Sequence, residues 1–212
     1  MNYNKVFSFF SNLNTHNTDQ KAFYKEINDF NNVHFIPAVS LEVANFLKWI
    51  TYLIKPKKIL EIGFGSGTSA LFIHKGFNKY KKFYSLERDK NRYFRGIELF
   101  KKLNINSINL KYFNSFDFFK INKDKFDLIF LDGIKREYYL HIDPVKKKLN
   151  KNGLFICDNV LFGGKILENK VENKYKKGVK YINLFIEILL NDLSFNTYFL
   201  PIGDGLSISI KK

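Results

Sequence analysis

Leu60-Glu61-Ile62-Gly63-Phe64-Gly65-Ser66-Gly67 is the stretch that decides how this chain of 212 residues folds. It ends an apolar run over Lys58–Ile62 that is typical of a buried strand, and it leads into an apolar-periodic segment at residues 68–74 that predicts a helix. Glycine lets the backbone approach a ligand closely, and a helix N-terminus offers unpaired N–H groups. The stretch therefore predicts either a nucleotide-cofactor site or a glycine-rich turn that packs a helix on a sheet.

The spacing of the glycines distinguishes between cofactors. A dinucleotide fingerprint, G-x-G-x-x-G, would require its third glycine at position 68, where the chain has Thr68. The glycines instead lie at positions 63, 65 and 67 and follow the acidic residue Glu61. This pattern resembles the first motif of S-adenosylmethionine-dependent methyltransferases, and it disfavours a nicotinamide-dependent reductase.

Strand-like and helix-like segments alternate after an N-terminal helical segment at residues 1–35. The predicted strands are Lys58–Ile62, 83–86, Asn109–Tyr112, 128–131, 154–157, Phe195–Leu200 and 206–210. The predicted helices are 4–12, 20–30, 68–74, 90–103, 138–149 and one that starts after Ser40 and stops before Pro56. The alternation predicts a single α/β domain over residues 1–212, with a mostly parallel sheet, helices on both faces and a final antiparallel hairpin turning at residues 201–205.

Composition argues against a membrane protein, but it does not decide whether the partner is a nucleic acid. The net charge of +15 permits a nucleic-acid partner, but only four of the 35 basic residues are Arg, the better side chain for bidentate phosphate recognition. An AT-rich genome would also produce this abundance of Lys. No stretch reaches the ~18 apolar residues of a membrane span, so no membrane contact is expected. The single cysteine, Cys157, fits a reducing cytoplasm, where we place the protein.

Acidic and amide side chains follow three of the predicted strands. Glu87 ends the second strand, where a carboxylate can accept both ribose hydroxyls of an adenosine cofactor, although it could also be an exposed charge. Asp132 ends the fourth strand, and Asp158 and Asn159 end the fifth, although an Asp-Asn pair is also common in turns. Two carboxylates and an amide oxygen suit Mg²⁺, Mn²⁺ or Ca²⁺ rather than Zn²⁺, and they would leave coordination positions open for substrate.

Four blocks of the chain together resemble one family, the divalent-metal-dependent O-methyltransferases that include catechol and caffeoyl-CoA O-methyltransferases and bacterial relatives. The blocks are residues 60–63 with Ser69, 126–135, 153–163 and 200–206, and the resemblance runs from about Ile36 to Lys212. It implies a Rossmann-like class I methyltransferase fold with a seven-stranded sheet, and an enzyme that transfers a methyl group from S-adenosylmethionine to a hydroxyl on Mg²⁺.

The resemblance also implies a role for each matching residue. The cofactor would be held by Val39, Glu61, Gly63, Phe64, Gly65, Ser69, Glu87, Ser115 and Asp132. Asp132, Asp158 and Asn159 would bind the metal, and Lys135 would be the catalytic lysine that takes the proton, although it could also be one more solvated lysine. The chain departs from the family at Ile134, where many relatives carry Asp, and at Gly65, which relatives often lack.

The acceptor and the partners stay open at this level. The family contains enzymes that act on catechols and a bacterial branch that methylates 5-hydroxyuridine at the tRNA wobble position. The lysines at 146–148 and 165–180 favour RNA slightly, because phosphates attract lysine regardless of sequence. A non-catalytic RNA-binding protein on the same fold is the alternative outside enzymes. Relatives are commonly homodimers, and the aromatic N-terminal residues Tyr3, Phe7, Phe9 and Phe10 could pack on a partner subunit or cover the site.

Overall fold

The computed structural model describes residues 3–14, 16–32 and 36–212, which form one seven-stranded sheet and eight α-helices. The strands are β1 Lys58–Ile62, β2 Lys82–Glu87, β3 Asn109–Tyr112, β4 Phe126–Leu131, β5 Leu149–Cys157, β6 Phe195–Leu200 and β7 Leu206–Lys211. The helices are α1 Tyr3–Asn14, α2 Thr18–Asn32, α3 Leu41–Ile54, α4 Thr68–Gly76, α5 Lys90–Lys102, α6 Ser115–Ile121, α7 Tyr138–Lys148 and α8 Asn173–Asn191. The predicted α/β fold is confirmed.

The strands are ordered β3-β2-β1-β4-β5-β7-β6 across the sheet. Strands β1 to β5 are parallel, whereas β7 runs antiparallel to both of its neighbours, β5 and β6, which confirms the predicted C-terminal hairpin. The order reverses at β1, which lies between β2 and β4. Ligands of open parallel sheets bind beyond the carboxyl ends of the strands at such a reversal, so the fold itself points to the turn after β1.

The strands are apolar because helices cover both faces of the sheet. Successive strand side chains point to opposite faces, and the core is accordingly divided in two. Ile59 and Leu128 belong to one apolar cluster, whereas Leu60 and Ile129 belong to the other. Cys157 is buried in the second cluster, as expected of a small apolar residue.

Helix α3 shows how local sequence sets the bounds of an element. Ser40 is its N-cap, and the Ser40 hydroxyl accepts a hydrogen bond from the backbone N–H of Val43 at 3.3 Å. The helix ends at Ile54, where Lys55 turns left-handed immediately before Pro56. The predicted start after Ser40 and stop before Pro56 are both confirmed.

Strand β5 starts earlier than the predicted residues 154–157. Its first residue, Leu149, pairs with Phe126, and the register then shifts so that Leu154 pairs with Leu128. Asn152, in the shifted part, has a φ of 61°. The irregular segment contains polar residues, which is why apolar patterning alone missed it.

The N-terminal helices lie outside the sheet. The exposed side chains of Phe9 and Phe10 on α1 contact each other edge to face. The side chains of Tyr3 and Phe7, which the sequence also suggested for a contact with a partner, lie outside the described residues. None of the described helices combines the length and the apolar composition needed to span a bilayer.

Candidate active site

Residues that follow five neighbouring strands form one edge of the sheet, called here the rim. From one end to the other it contains Ser115 after β3, Glu87 at the end of β2, the glycine turn after β1, Asp132 after β4, and the pair Asp158–Asn159 after β5. Adjacent strands are about 4.8 Å apart, so this order spreads the predicted residues along one elongated groove. Sequence reasoning placed them on one rim correctly.

Gly63 brings the turn after β1 against the backbone that follows β4. Its φ of 96° lies in the left-handed region, and a Cβ built there would be 2.1 Å from the backbone oxygen of Asp132. The backbone N–H groups of Gly63 and Phe64 both donate to the carbonyl of Leu86, at 3.0 Å each. Only glycine fits this position, because any side chain would collide with the Asp132 backbone. The glycine therefore allows the turn that lines the groove to lie directly against Asp132.

Glu87 joins the glycine turn to the end of β2. The buried Glu87 carboxylate accepts hydrogen bonds from the backbone N–H of Gly65 at 3.0 Å and from that of Asp89 at 2.8 Å. Each carboxylate oxygen still has acceptor capacity, and Glu87 and Gly65 both line the groove. The structure therefore brings Glu87, expected to bind the cofactor ribose, next to Gly65 of the glycine turn.

Three residues expected to line the cofactor pocket lie behind the groove instead. Glu61 is fully buried, and its two carboxylate oxygens accept hydrogen bonds from the hydroxyls of Ser69 on α4 and Ser85 on β2. Burial raises the pKa of Glu61 to about 8. The Phe64 ring packs edge to face on Phe100 in the core. These side chains support the turn from below rather than face a ligand, because their partners lie in the core and on neighbouring elements.

The β3 end of the groove is walled by two residues of α-helices and by three residues of the connecting segments. Ser115, at the start of α6, bonds to His141 of α7 across 2.9 Å. Arg88, just after β2, donates from Nη1 to both carboxylate oxygens of Glu137, at 3.1 and 3.3 Å. Phe113 completes the wall. Ser115 was expected here from the sequence, whereas Arg88, Glu137 and His141 were not.

The opposite end of the groove contains three carboxylates and one lysine. The Lys135 ammonium donates to Asp132 Oδ1 at 2.7 Å. Asp158 is only 2% exposed, and its Oδ1 accepts from the backbone N–H of Asn159 at 2.7 Å. Burial, together with the neighbouring charges of Asp132 and Asp204, raises the pKa of Asp158 to about 7. This end therefore carries more negative charge than its own residues neutralise.

Asp204 connects the C-terminal hairpin to this end of the groove. Its Oδ2 accepts from the side-chain amide of Asn159 at 3.3 Å, and its carboxylate also accepts from the backbone N–H of Gly163. Because the Asn159 amide nitrogen is engaged, the Asn159 carbonyl oxygen is the side-chain atom available to a cation. Val39, expected to hold the cofactor, lies in the same part of the groove as Asp158 and Asn159.

The donor set at this end fits a hard divalent cation. Asp132, Asp158 and Asn159 offer only oxygen atoms, and the surplus negative charge would be offset by the ion. Within the described ranges no three His, Cys, Asp or Glu side chains are grouped to hold a metal. The predicted set has two carboxylates and one amide, so it does not depend on such a group.

Comparison with known proteins decides the family. The sequence model of a family described as O-methyltransferase matches residues 15–212. The chain belongs to this O-methyltransferase family. The predicted family membership and the predicted class of enzyme, an S-adenosylmethionine-dependent O-methyltransferase, are confirmed.

Individual relatives of this O-methyltransferase are distant but cover most of its length. It is 26% identical over 175 residues to a caffeoyl-CoA O-methyltransferase of Stellaria longipes, which covers 77% of this chain and 72% of the relative. It is 25% identical over 177 residues to tapetum-specific methyltransferase 1 of Arabidopsis thaliana, covering 80% and 76%.

Solved structures share the fold. The methyltransferase PaMTH1 of Podospora anserina, solved with S-adenosylhomocysteine (SAH) bound, superposes with a TM-score of 0.85 at 24% identity, covering 99% of this chain and 95% of that one. An O-methyltransferase of Bacillus cereus, also in complex with SAH, gives a TM-score of 0.80 at 21% identity, covering 90% and 91%.

Proposed function

We propose that this O-methyltransferase moves the methyl group of S-adenosylmethionine to a hydroxyl of a small, catechol-like acceptor with the help of a divalent cation. The observation that carries the proposal is the order of groups along the rim. A nucleoside-binding end at β2 and β3 and an acidic end at β4 and β5 meet at the glycine turn, where Gly63 contacts Asp132. A cofactor laid along the groove would bring its sulfonium to the acidic end.

The cofactor would be held by groups whose positions the protein already fixes. Glu87 would accept the ribose hydroxyls, the backbone at Gly63 and Gly65 would pass under the ribose and methionine portions, and Ser115 would meet the purine. Two structural neighbours, PaMTH1 and the Bacillus cereus enzyme, were solved with SAH bound, which is the product that remains after methyl transfer. Both facts favour S-adenosylmethionine as the cofactor of this chain.

The acidic end would bind and orient the acceptor. Asp132, Asp158 and Asn159 would hold the cation, which when bound stabilises the ionised form of a hydroxyl and so favours its attack at neutral pH. Magnesium is the ion we expect, and Mn²⁺ or Ca²⁺ would suit the same oxygen ligands. Val39 and Pro37 border this end and would help exclude water from the acceptor.

Methyl transfer is an in-line displacement. The acceptor oxygen forms a bond to the methyl carbon while the carbon–sulfur bond breaks, and the sulfonium becomes a neutral thioether. The hydroxyl proton must leave, and we assign its removal to the amine of Lys135. Lys135 Nζ lies 2.7 Å from Asp132 Oδ1, and this ion pair holds the side chain at the acceptor end. Lys135 would act as the base in its neutral form, which a cation held by Asp132 would favour over the ammonium, and the ammonium formed after proton uptake could pair with Asp132 again.

The groove favours a small acceptor over tRNA. Of the three cationic side chains that border it, two are already paired, Lys135 with Asp132 and Arg88 with Glu137, and Arg92 is the third, so the groove itself offers little unpaired positive charge to phosphates. The wobble 5-hydroxyuridine of tRNA, and RNA binding without catalysis, stay as the alternative predictions. Assembly as a homodimer through the exposed aromatic residues Phe9 and Phe10 also stays a prediction, which sedimentation equilibrium can test.

A direct transfer assay tests the proposal. The protein would be incubated with methyl-labelled S-adenosylmethionine and Mg²⁺, and with either a panel of catechols and related phenols or bulk hypomodified tRNA. We expect label in an extractable phenol ether. Label in tRNA alone would show that tRNA, and not a small phenol, is the acceptor. Cofactor binding without transfer to any hydroxylated acceptor would favour the RNA-binding alternative.

A further inference from the structure

A buried histidine at the β3 end of the groove takes no part in the proposed transfer. His141 lies on α7 with its ring stacked on Phe116, the ring centroids being 4.5 Å apart. Its Nδ1 is 2.9 Å from the backbone oxygen of Glu137, and its Nε2 is 2.9 Å from the hydroxyl oxygen of Ser115. The ring is therefore held on one face and at both nitrogens.

These contacts determine which nitrogen of His141 carries the proton. A backbone carbonyl can only accept a hydrogen bond, so Nδ1 must be protonated and donate to the oxygen of Glu137. Burial lowers the pKa of His141, which keeps the ring neutral near pH 7. A neutral imidazole has one N–H, so Nε2 carries only a lone pair, and the Ser115 hydroxyl must donate to it.

The direction of this bond limits what Ser115 offers to a ligand. A hydroxyl has one hydrogen, and in Ser115 that hydrogen is used by His141, so only oxygen lone pairs remain for the groove. A ligand atom that meets Ser115 must therefore be a donor. The 6-amino group of adenine is a donor, whereas the 6-oxo group of hypoxanthine or guanine is an acceptor and would face another acceptor.

We propose that His141 is a positioning residue that locks the Ser115 hydroxyl as an acceptor, so that the groove selects a 6-aminopurine cofactor over a 6-oxopurine one. The inference rests on the proposed function, since it takes S-adenosylmethionine as the nucleoside that fills this end. The nearest charged groups, Arg88 and Glu137, neutralise each other across 3.1 Å. Because Arg88 and Glu137 neutralise each other, the Ser115–His141 pair is a neutral hydrogen-bonding group at this end of the groove.

Calorimetric binding of two ligands tests the inference. The ligands are SAH and its deaminated analogue, S-inosylhomocysteine, in which the 6-amino donor becomes a 6-oxo acceptor and N1 gains a hydrogen. The change at N1 is the same for every variant tested, so only the part of the preference that depends on Ser115 should change between variants. In the unchanged protein we expect SAH to bind at least ~10-fold more tightly, because the oxo group would place an acceptor against the lone pairs of the Ser115 oxygen. In His141→Asn the shorter amide retains a donor for the Glu137 carbonyl and loses the group that orients Ser115, so the ratio should fall to about 3-fold or less.

Matched variants separate positioning from simple damage. Ser115→Ala should reduce the ratio of the two affinities in the same way. It is the variant to measure if His141→Asn fails to fold. His74→Asn is the control, because His74 bonds to Tyr80 away from the groove, and its ratio should equal that of the unchanged protein. A merely structural role for His141 would weaken both ligands equally.

The outcomes distinguish this inference from the proposed function. Equal binding of the two ligands by the unchanged protein, or an unaltered ratio in folded His141→Asn, would overturn the inference while leaving the proposed function in place. If His141→Asn does not fold, an unaltered ratio in Ser115→Ala would overturn it. Failure of the unchanged protein to bind either ligand would overturn the cofactor assignment and this inference with it.

Discussion

The two ends of the rim differ in how completely their polar groups are satisfied. At the nucleoside end, Glu87 accepts two backbone N–H groups and Ser115 is bonded to His141. At the acidic end, Asp158 is buried beside Asp132 with a raised pKa of about 7. The first end is preorganised, so that binding there requires little rearrangement, whereas the second retains a charge that a bound cation would stabilise.

The largest expected effect is at the acidic end. Asp158→Ala removes a proposed cation ligand, and loss of several kcal/mol of transition-state stabilisation corresponds to a decrease of about 10³-fold or more in methyl transfer. EDTA should reproduce the loss in the unchanged protein. SAH affinity, measured by calorimetry, should stay within about 3-fold, because the nucleoside end is separate from this ligand.

The exposed Asp117, on α6, provides the matched control. Asp117→Ala removes an aspartate of equal size and should retain full transfer activity. Full activity of the unchanged protein in excess chelator would refute the cation, and a comparable loss in Asp117→Ala would show that the assay does not report on the acidic end.

Gly63 joins the two ends, so its replacement should damage both. Gly63→Ala would place a Cβ 2.1 Å from the Asp132 backbone oxygen at a φ of 96°, and we expect a decrease of about 3 kcal/mol or more in unfolding free energy, with loss of SAH binding. Gly164→Ala is the control. Gly164 has a φ of 74° with nothing within 4 Å of a built Cβ, so it should cost about 1 kcal/mol. Urea unfolding measures both, and equal losses would contradict the close contact.

At the nucleoside end, removal of one carboxylate should weaken binding without touching the chemistry. Glu87→Ala should reduce SAH affinity by about 10- to 100-fold, because hydrogen bonds to charged groups contribute roughly 1.5–3 kcal/mol. The exposed Glu98 on α5 supplies the control, Glu98→Ala, which should bind normally. An unchanged affinity in Glu87→Ala, measured by calorimetry, would remove Glu87 from the cofactor site.

Measured over a single pH unit, the smallest expected effect concerns Glu61, which lies beneath the junction of the two ends. Its pKa is about 8 in the folded protein against an ordinary pKa of 4.5 for a glutamate, so the folded state binds more protons between these values. Stability should therefore fall as pH rises from about 4.5 to 8, by roughly 1.4 kcal/mol per pH unit, and level off above that range. Glu61→Gln should flatten this slope in urea unfolding at several pH values. An equal slope in both proteins would show that Glu61 is ionised when buried.

The sequence was sufficient to locate the rim. Buried parallel strands read as uninterrupted apolar runs, so the first polar residue after each run marks the carboxyl end of a strand. Glu87, Asp132 and Asp158 were found in this way, and the shared edge followed from the alternation of elements.

Side-chain direction and long-range pairing could not be predicted in the same way. Glu61 lies on β1 directly beside Ser85 of β2, a register that sequence does not specify, and this partner is one reason that Glu61 is bonded behind the groove. His141 was missed because its partner Ser115 is 26 residues away. Asp204 lay within the hairpin turn recognised at residues 201–205, but its bond to Asn159 spans 45 residues.

The position of β7 between β5 and β6 has a consequence for biosynthesis. While a ribosome is still producing the C-terminal part, the strands β1 to β5 and the glycine turn are already available to pair, but β5 has an open edge until residues 206–211 emerge. Asp204, which holds Asn159, precedes β7 by two residues and is anchored only when that strand is inserted. In a nascent chain the nucleoside end, Asp132 and Asp158 can therefore come together first, and the bond between Asp204 and Asn159 can form only after the hairpin residues have emerged.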